Sequence, residues 1–331
     1  MSSSPPAVLV SNGAVSPLAP SSAASFLEST PGAYTTARGL LWWPRHLLRL
    51  ADSARLLAHS HPHLLGLPQP HRINFSIPSL VNPSVRIAVA EMRSRMPVTD
   101  KDDLAITALV RGGASGDGLD VFVHAGAYTP PVFGEAGARV AVAGKGRDAA
   151  AAKYAPWARM RKSMEKMRPP GVTELLLTND GDHILEGSVT NFFVVCLKDE
   201  HQMDEPFSVQ RLSQKFEVQT APKSGGVLPG IIRQIVIEVC HDIGIPVREV
   251  SPSWSKRDSW QEAFVTSSLR LIQHVESIQI PLLWEDIQSK TWSDISWTVK
   301  QFHLPGFMRR LRLGPAGFSV LLLNKNSDDV R

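Results

Sequence analysis

Apolar positions along the chain change their spacing several times, and each change marks a predicted element. Residues Pro44 to Ala58 carry apolar side chains at helical spacing with Pro44 in the first turn, which predicts a helix. Pro62 to Pro78 reads as a loop, and Asn82-Pro83-Ser84 as the cap of a second helix running through Met92. Ala105–Arg111 and Leu119–His124 flank a Gly/Ser/Asp turn and predict a hairpin. The run Ala138 to Ala143 adds a strand, Glu174–Thr178 and Asn191–Cys196 two more, and Trp260–Thr266 a late return strand. Leu228-Pro229-Gly230 opens a helix through Ile231-Ile232-Arg233-Gln234-Ile235-Val236, and Gly244–Val250 reads as a C-cap followed by a strand. Lys198 to Val218 turns charged and polar, as an exposed excursion would, and Gln219–Gly226 reads as a flexible approach to Leu228. There is no internal repeat.

At 331 residues the chain is long enough for two domains with separate cores. The expected division is a disordered lead-in at 1–25, a smaller α/β domain at 26–143, a larger domain at 144–303 and a tail at 304–331 without an assigned role. The lead-in is rich in Ser, Pro and Ala. A plastid transit peptide shares that bias, but no Lys or Arg occurs there, so a cytoplasmic location is expected ahead of a plastid one. A net charge of +4, not gathered into a block, argues against nucleic acid as a partner. The longest apolar stretches are strand-sized, which argues against a membrane span. Two cysteines, Cys196 and Cys240, lie far apart without metal or redox spacing, so neither a metal nor a disulfide framework is expected.

Candidate chemistry centres on Glu186 of Glu186-Gly187-Ser188-Val189-Thr190-Asn191, read as a carboxylate presented from a turn between two apolar runs. The helix start after Leu228-Pro229-Gly230 offers free backbone N–H groups and a positive dipole end, a ready site for a phosphate. An acid for a ring nitrogen and an amide cradle for a phosphate point to pyridoxal 5'-phosphate, which also requires a lysine. Lys153, read at the start of a helix feeding the Glu174 strand, is the candidate; Lys145 and Lys162 are its rivals.

Taken with His46-Leu47-Leu48-Arg49-Leu50 and Gly32-Ala33-Tyr34-Thr35-Thr36-Ala37-Arg38, these residues resemble the class IV aminotransferases. That family includes branched-chain and D-amino acid aminotransferases and aminodeoxychorismate lyase. The resemblance spans roughly Gly32 to Ile280 and implies a two-domain α/β (α+β) fold type IV enzyme, with a barrel-like sheet in its larger C-terminal domain. It places the Schiff-base lysine on Lys153, the phosphate arginine on Arg49 and the ring-nitrogen acid on Glu186. Leu228 falls on the ring-packing leucine, Ile231 and Ile232 on the phosphate-binding amides, and Ser268, with Ser267 beside it, on the phosphate hydroxyl.

Tyr34, Arg38 and Arg111 are candidates for substrate binding. The tyrosine that branched-chain enzymes carry shortly after the lysine has no simple match in Tyr154 or Trp157-Ala158. The arginine and histidine of D-amino acid enzymes are absent from Ala114–Gly118. The resemblance implies transfer of an amino group between an amino acid and a 2-oxo acid, in a homodimer. A carbon–carbon lyase releasing pyruvate and an inactive binding relative are the alternatives.

Overall fold

A computed structural model describes residues 6–20, 22–70, 72–73, 76–96, 103–113, 118–130, 137–197 and 216–302. The chain forms two compact units, 1–130 with 151–163 and 131–150 with 164–331. This differs from a single boundary at residue 143, because the chain leaves the first unit, returns to it around Lys153, and leaves again.

The first unit is built on a five-stranded antiparallel sheet in the order β2-β1-β5-β4-β3. Its strands are β1 (Ala7–Ser11), β2 (Ala14–Val15), β3 (Ala33–Arg38), β4 (Asp103–Gly112) and β5 (Leu119–Tyr128). The expected hairpin is present as β4 and β5. The expected disordered lead-in is not disordered at Ala7–Ser11: Val8 and Val10 alternate into the core, and the strand pairs with β5. Helices α1 (Ala23–Ser29), α2 (Trp43–Ser60), α3 (Pro62–Leu65) and α4 (Ile77–Arg95) cover the sheet, α2 against β3 and α4 against β1 and β5.

The helix α4 starts earlier than Asn82. Ser76 is its N-cap, accepting from the Ser79 N–H, and Pro83 lies inside the helix. Two prolines in this segment sit at tolerable positions: Pro78 occupies the first turn, where no intrahelical N–H is missed, and Pro83 one turn further gives up a single bond. Part of the expected loop at 62–78 is the short helix α3.

The second unit holds a nine-stranded sheet. Its strands are β6 (Ala138–Gly144), β7 (Glu174–Thr178), β8 (Ile184–Gly187), β9 (Asn191–Leu197), β10 (Phe216–Thr220), β11 (Val247–Glu249), β12 (Trp260–Ser267), β13 (Leu271–Pro281) and β14 (Trp297–Gln301). The path β9-β12-β13-β6-β7-β8 is closed by pairing of β8 with β9, which makes a six-stranded ring with no free edge. Alternate residues of all six strands meet in one apolar cluster, among them Val140, Leu176, Ile184, Phe192, Val265 and Ile278. Intervening residues such as Ala141 and Leu175 pack on the other face, against Met167, Val172 and Ile287. The run Ala138–Ala143 is thus a strand as expected, but of this unit.

Two further segments, α5 (Trp157–Met160) of the first unit and α6 (Ile231–Asp242) of the second, matter for the site. No helix among the described residues is long and apolar enough to cross a membrane. The tail from residue 304, the lead-in before residue 6, most of the polar excursion after Lys198 and the segment 114–117 lie outside the described residues.

Candidate functional site

The candidate residues divide between the two units. In the first, one stripe of α2 carries His46, Arg49 and Ser53, spaced three and four apart and so stacked on one helical face. Arg49 is 7% exposed and donates from Nη2 to Thr35 Oγ1 at 2.9 Å. Its Nε is buried without a partner among the described residues, and burial holds its pKa down at about 10. The described residues offer Arg49 no carboxylate, so its positive charge is buried without a counter-ion. Such a site favours an anion, and a phosphate monoester suits the planar guanidinium fork.

His46 Nδ1 lies 2.7 Å from Thr35 Oγ1, and its Nε2 is buried without a partner among the described residues. Burial first, then the neighbouring Arg49 and Lys153 cations, holds the imidazole pKa well below its ordinary value. Ser53 Oγ accepts from the Lys153 backbone N–H at 3.1 Å. The Lys153 carbonyl accepts from Tyr34 N at 2.9 Å, and Ala155 N donates to the Gly32 carbonyl at 2.8 Å.

Residues 153–155 therefore lie as an extended edge beside β3, not in a helix; α5 begins only at Trp157, after Pro156. The reason is twofold: these backbone groups are already paired to β3, and the residue before a proline avoids helical geometry. Gly32 permits the arrangement, since its φ of 146 lies where side chains are disfavoured and a Cβ would sit 2.6 Å from the Val110 carbonyl. The Lys153 Nζ rests 4.8 Å from the centre of the Tyr34 ring.

The rival lysines are placed differently. Lys145 is exposed, and Lys162 pairs with Glu28 at 2.6 Å with its side chain 60% exposed. Of the expected substrate arginines, Arg38 donates from Nε to Asp103 at 2.8 Å. Arg111 stacks on Phe122 at 4.9 Å and lies 3.6 Å from Asp120. Both guanidiniums are engaged in charge pairs of the sheet.

In the second unit, Glu186 lies in strand β8, not in a turn; the turn is Ser188–Thr190. Its side chain is 3% exposed and meets Arg147, whose Nε and Nη2 both approach Oε1 at 2.8 Å. The Leu228 N–H donates to Oε2 at 2.9 Å. Arg147 had no signal in the sequence pattern, because it sits in the linker after β6. Beside this pair, Glu174 Oε1 accepts from Val189 N and Thr190 Oγ1, and its Oε2 from Arg270 Nη1 at 3.0 Å. Glu174 thereby ties the 188–190 turn to the turn that follows β12.

Leu228 leads into Gly230, the N-cap of α6, whose first backbone N–H groups are those of Ile231 and Ile232. Asn191 Nδ2 holds the Leu228 carbonyl at 2.9 Å, and a Cβ on Gly230 would collide with Asn191 Oδ1. Ser267 ends β12 and its Oγ accepts from Arg270 N at 3.2 Å; Ser268 follows in the turn. One position earlier, Thr266 Oγ1 is buried without a partner among the described residues. An orphaned hydroxyl and a helix start kept free of side chains both fit an anionic group, as the unpaired Arg49 does in the first unit.

A six-stranded ring in one unit and a separate antiparallel sheet in the other match the architecture of fold type IV transaminases, and comparison with solved structures agrees. A hypothetical aminotransferase from Mycobacterium tuberculosis in its PLP-bound form matches with a TM-score of 0.60 at 15% identity, covering 98% of this chain and 100% of that one. The 4-amino-4-deoxychorismate lyase from Pseudomonas aeruginosa matches with a TM-score of 0.55 at 15% identity, covering 82% of this chain and 91% of that one. Residues 32–278 match the family model for amino-transferase class IV, and the chain belongs to that family. A curated relative, branched-chain-amino-acid aminotransferase 6 of Arabidopsis thaliana, is 36% identical over 61 residues, a match spanning 18% of this chain and 17% of that protein.

Proposed function

We propose that this protein is a pyridoxal 5'-phosphate-dependent aminotransferase that moves an amino group between an amino acid and a 2-oxo acid, with Lys153 as the residue that carries the cofactor. The observation that carries the reading is Arg49: a guanidinium 7% exposed, without a carboxylate among the described residues, in the same compact unit as Lys153. When bound, the cofactor supplies an electron sink that labilises the substrate α-hydrogen.

Arg49 would hold the cofactor phosphate; within the second unit, Ser268, Ser267 and the Ile231 and Ile232 amides are neutral donors of the kind an anion takes. Glu186 would accept the hydrogen of the ring nitrogen. Arg147 and the Leu228 N–H fix its orientation. Leu228 would pack on the ring. The Lys153 amine, placed by Ser53 and Tyr34, would accept the proton from the substrate α-carbon and return it. Tyr34 would border the substrate.

The test is an absorbance spectrum of the purified protein with a panel of amino donors. The wild type should show the band of covalently held cofactor, and Lys153→Ala should lose it. Bleaching by an amino donor, restored by a 2-oxo acid, supports the transaminase; pyruvate release without any acceptor would replace it with the lyase reading. The same reading expects a homodimer on gel filtration.

A further inference from the structure

Two buried polar groups of the first unit, Thr35 and His46, have no place in that chemistry, yet both contact the group that does. We infer that Thr35 and His46 are positioning residues for Arg49, through a hydrogen-bonded chain from Arg49 Nη2 to Thr35 Oγ1 to His46 Nδ1 that fixes the plane in which the guanidinium meets a phosphate monoester. The inference rests on the functional reading above for the identity of the anion, but its geometry stands on three side chains alone.

The contacts fit a chain running from Arg49 through Thr35 to His46. Arg49 can only donate, so Thr35 Oγ1 accepts at 2.9 Å. The Thr35 hydroxyl hydrogen is then free to point at His46 Nδ1, 2.7 Å away. That requires an imidazole with Nδ1 unprotonated, hence a neutral ring with its hydrogen on Nε2. The depressed His46 pKa, caused by burial and by the Arg49 and Lys153 cations, supplies the neutral ring. All three residues are buried, at 0%, 1% and 7% exposure for Thr35, His46 and Arg49, so water does not compete for these bonds.

Location explains why this costs little conformational freedom. Thr35 is held in β3 between Tyr34 and Thr36, whose backbones pair with β4, and its branched Cβ restricts χ1. His46 and Arg49 stand three residues apart on α2, so a single hydroxyl on the facing strand reaches both. An arginine holding its ligand without such a brace would sample several rotamers, because its side chain is long. The brace also gives this buried cation a neutral acceptor where the described residues provide no carboxylate, so the charge stays available to the anion.

The experiment compares affinities of the full-length apoprotein for pyridoxal 5'-phosphate and for pyridoxal, which lacks the phosphate, by absorbance titration. Thr35→Val and His46→Leu should each weaken pyridoxal 5'-phosphate binding about tenfold, the loss of one hydrogen bond to a charged group, and leave pyridoxal binding unchanged. Thr35→Ser and His46→Asn, whose Oδ1 can take the place of Nδ1, should restore affinity to within about threefold. The double variant should be no weaker than the worse single, because both break one chain. Thermal unfolding of each apoprotein separates folding defects from binding defects.

Wild-type affinity in Thr35→Val, with Arg49→Ala weakened, would overturn the positioning role while leaving Arg49 as the phosphate anchor. Equal losses for pyridoxal and its phosphate in Thr35→Val would also overturn it. An Arg49→Ala protein that binds both ligands like the wild type would sink the functional assignment of Arg49 and the brace with it.

Discussion

Removing the guanidinium of Arg147 tests the second unit most severely. Arg147 directs two N–H groups at one oxygen of Glu186, both at 2.8 Å, and the two side chains are 5% and 3% exposed. Its Nη2 also donates to the Ala150 carbonyl at 3.0 Å, which pins the linker after β6. Arg147→Met keeps much of the volume but takes from the buried Glu186 carboxylate the guanidinium that meets its Oε1, while the Leu228 N–H stays on Oε2. Truncating one member of a buried pair costs about 3–5 kcal/mol, because the survivor has lost both water and counter-charge. For a unit of this size that corresponds to a fall in Tm of about 10 °C, read by calorimetry on protein dialysed free of cofactor.

The companion variant Arg147→Met/Glu186→Gln removes the stranded charge and keeps an acceptor for Leu228 N. It should regain about half of the lost stability, the remainder reflecting the lost bond to Ala150. A single variant melting within about 2 °C of the wild type would refute the reasoning, since a water-free ion pair cannot be removed at so small a cost. So would a double variant less stable than Arg147→Met, because it would show that the cost came from packing and not from an uncompensated carboxylate.

Acid sensitivity should trace to His46. Its folded pKa lies below the unfolded value of about 6.5, so the unfolded chain binds more protons there, and stability falls as the pH drops from about 6.5 by at most about 1.4 kcal/mol per pH unit. His46→Asn should flatten that slope in urea titrations between about pH 6.5 and 5, leaving the smaller contributions of His124 and His274, whose pKa values are also lowered by burial. Burial pushes the Cys196 thiol up to about 11 and Cys240 up to about 12, so neither should react with an aromatic disulfide reagent at about pH 8 until the protein is unfolded. Rapid labelling of the native protein would contradict their burial. Gly230→Ala should destabilise by about 1–3 kcal/mol, since the new methyl must displace Asn191 Oδ1 and with it the hold on the Leu228 carbonyl; an unchanged Tm would show that the α6 start tolerates a side chain.

Which parts of this molecule were legible in the sequence follows from how far apart in the chain the interacting groups lie. The α6 start was readable because Pro229, Gly230 and the apolar run after them are local, and the β4–β5 hairpin because its two strands are neighbours in the sequence. The Lys153 segment was misread as helical because its four alanines favour a helix locally, whereas its backbone is claimed by β3, more than a hundred residues earlier. The strand Ala7–Ser11 hides for the same reason: its pairing with β5 is non-local, and five residues among serines and prolines carry little signal of their own. At α4 the error was local, since Pro83 imitates the first-turn proline that Pro78 already supplies.

A similar division runs through the candidate site. Arg49, Lys153 and Glu186 could be picked out because the family resemblance fixes residue type and order along the chain. Thr35, Ser53 and Arg147 could not, because what constrains them is the residue they hold. Ser53 needs only a hydroxyl one helical step beyond Arg49, and Arg147 only a cation wherever the linker passes Glu186. Several residue types placed elsewhere on the same scaffold could satisfy either demand, so no spacing rule singles them out. Their loss is nonetheless specific in its consequences: substitution of a ligand-holding group removes a contact, whereas substitution of its support leaves the contact in place but free to turn. That difference would separate the variants of Thr35 and His46 from that of Arg49: the first two should weaken phosphate recognition partially and recover with a conservative replacement, and Arg49→Ala, with no donor left, should not.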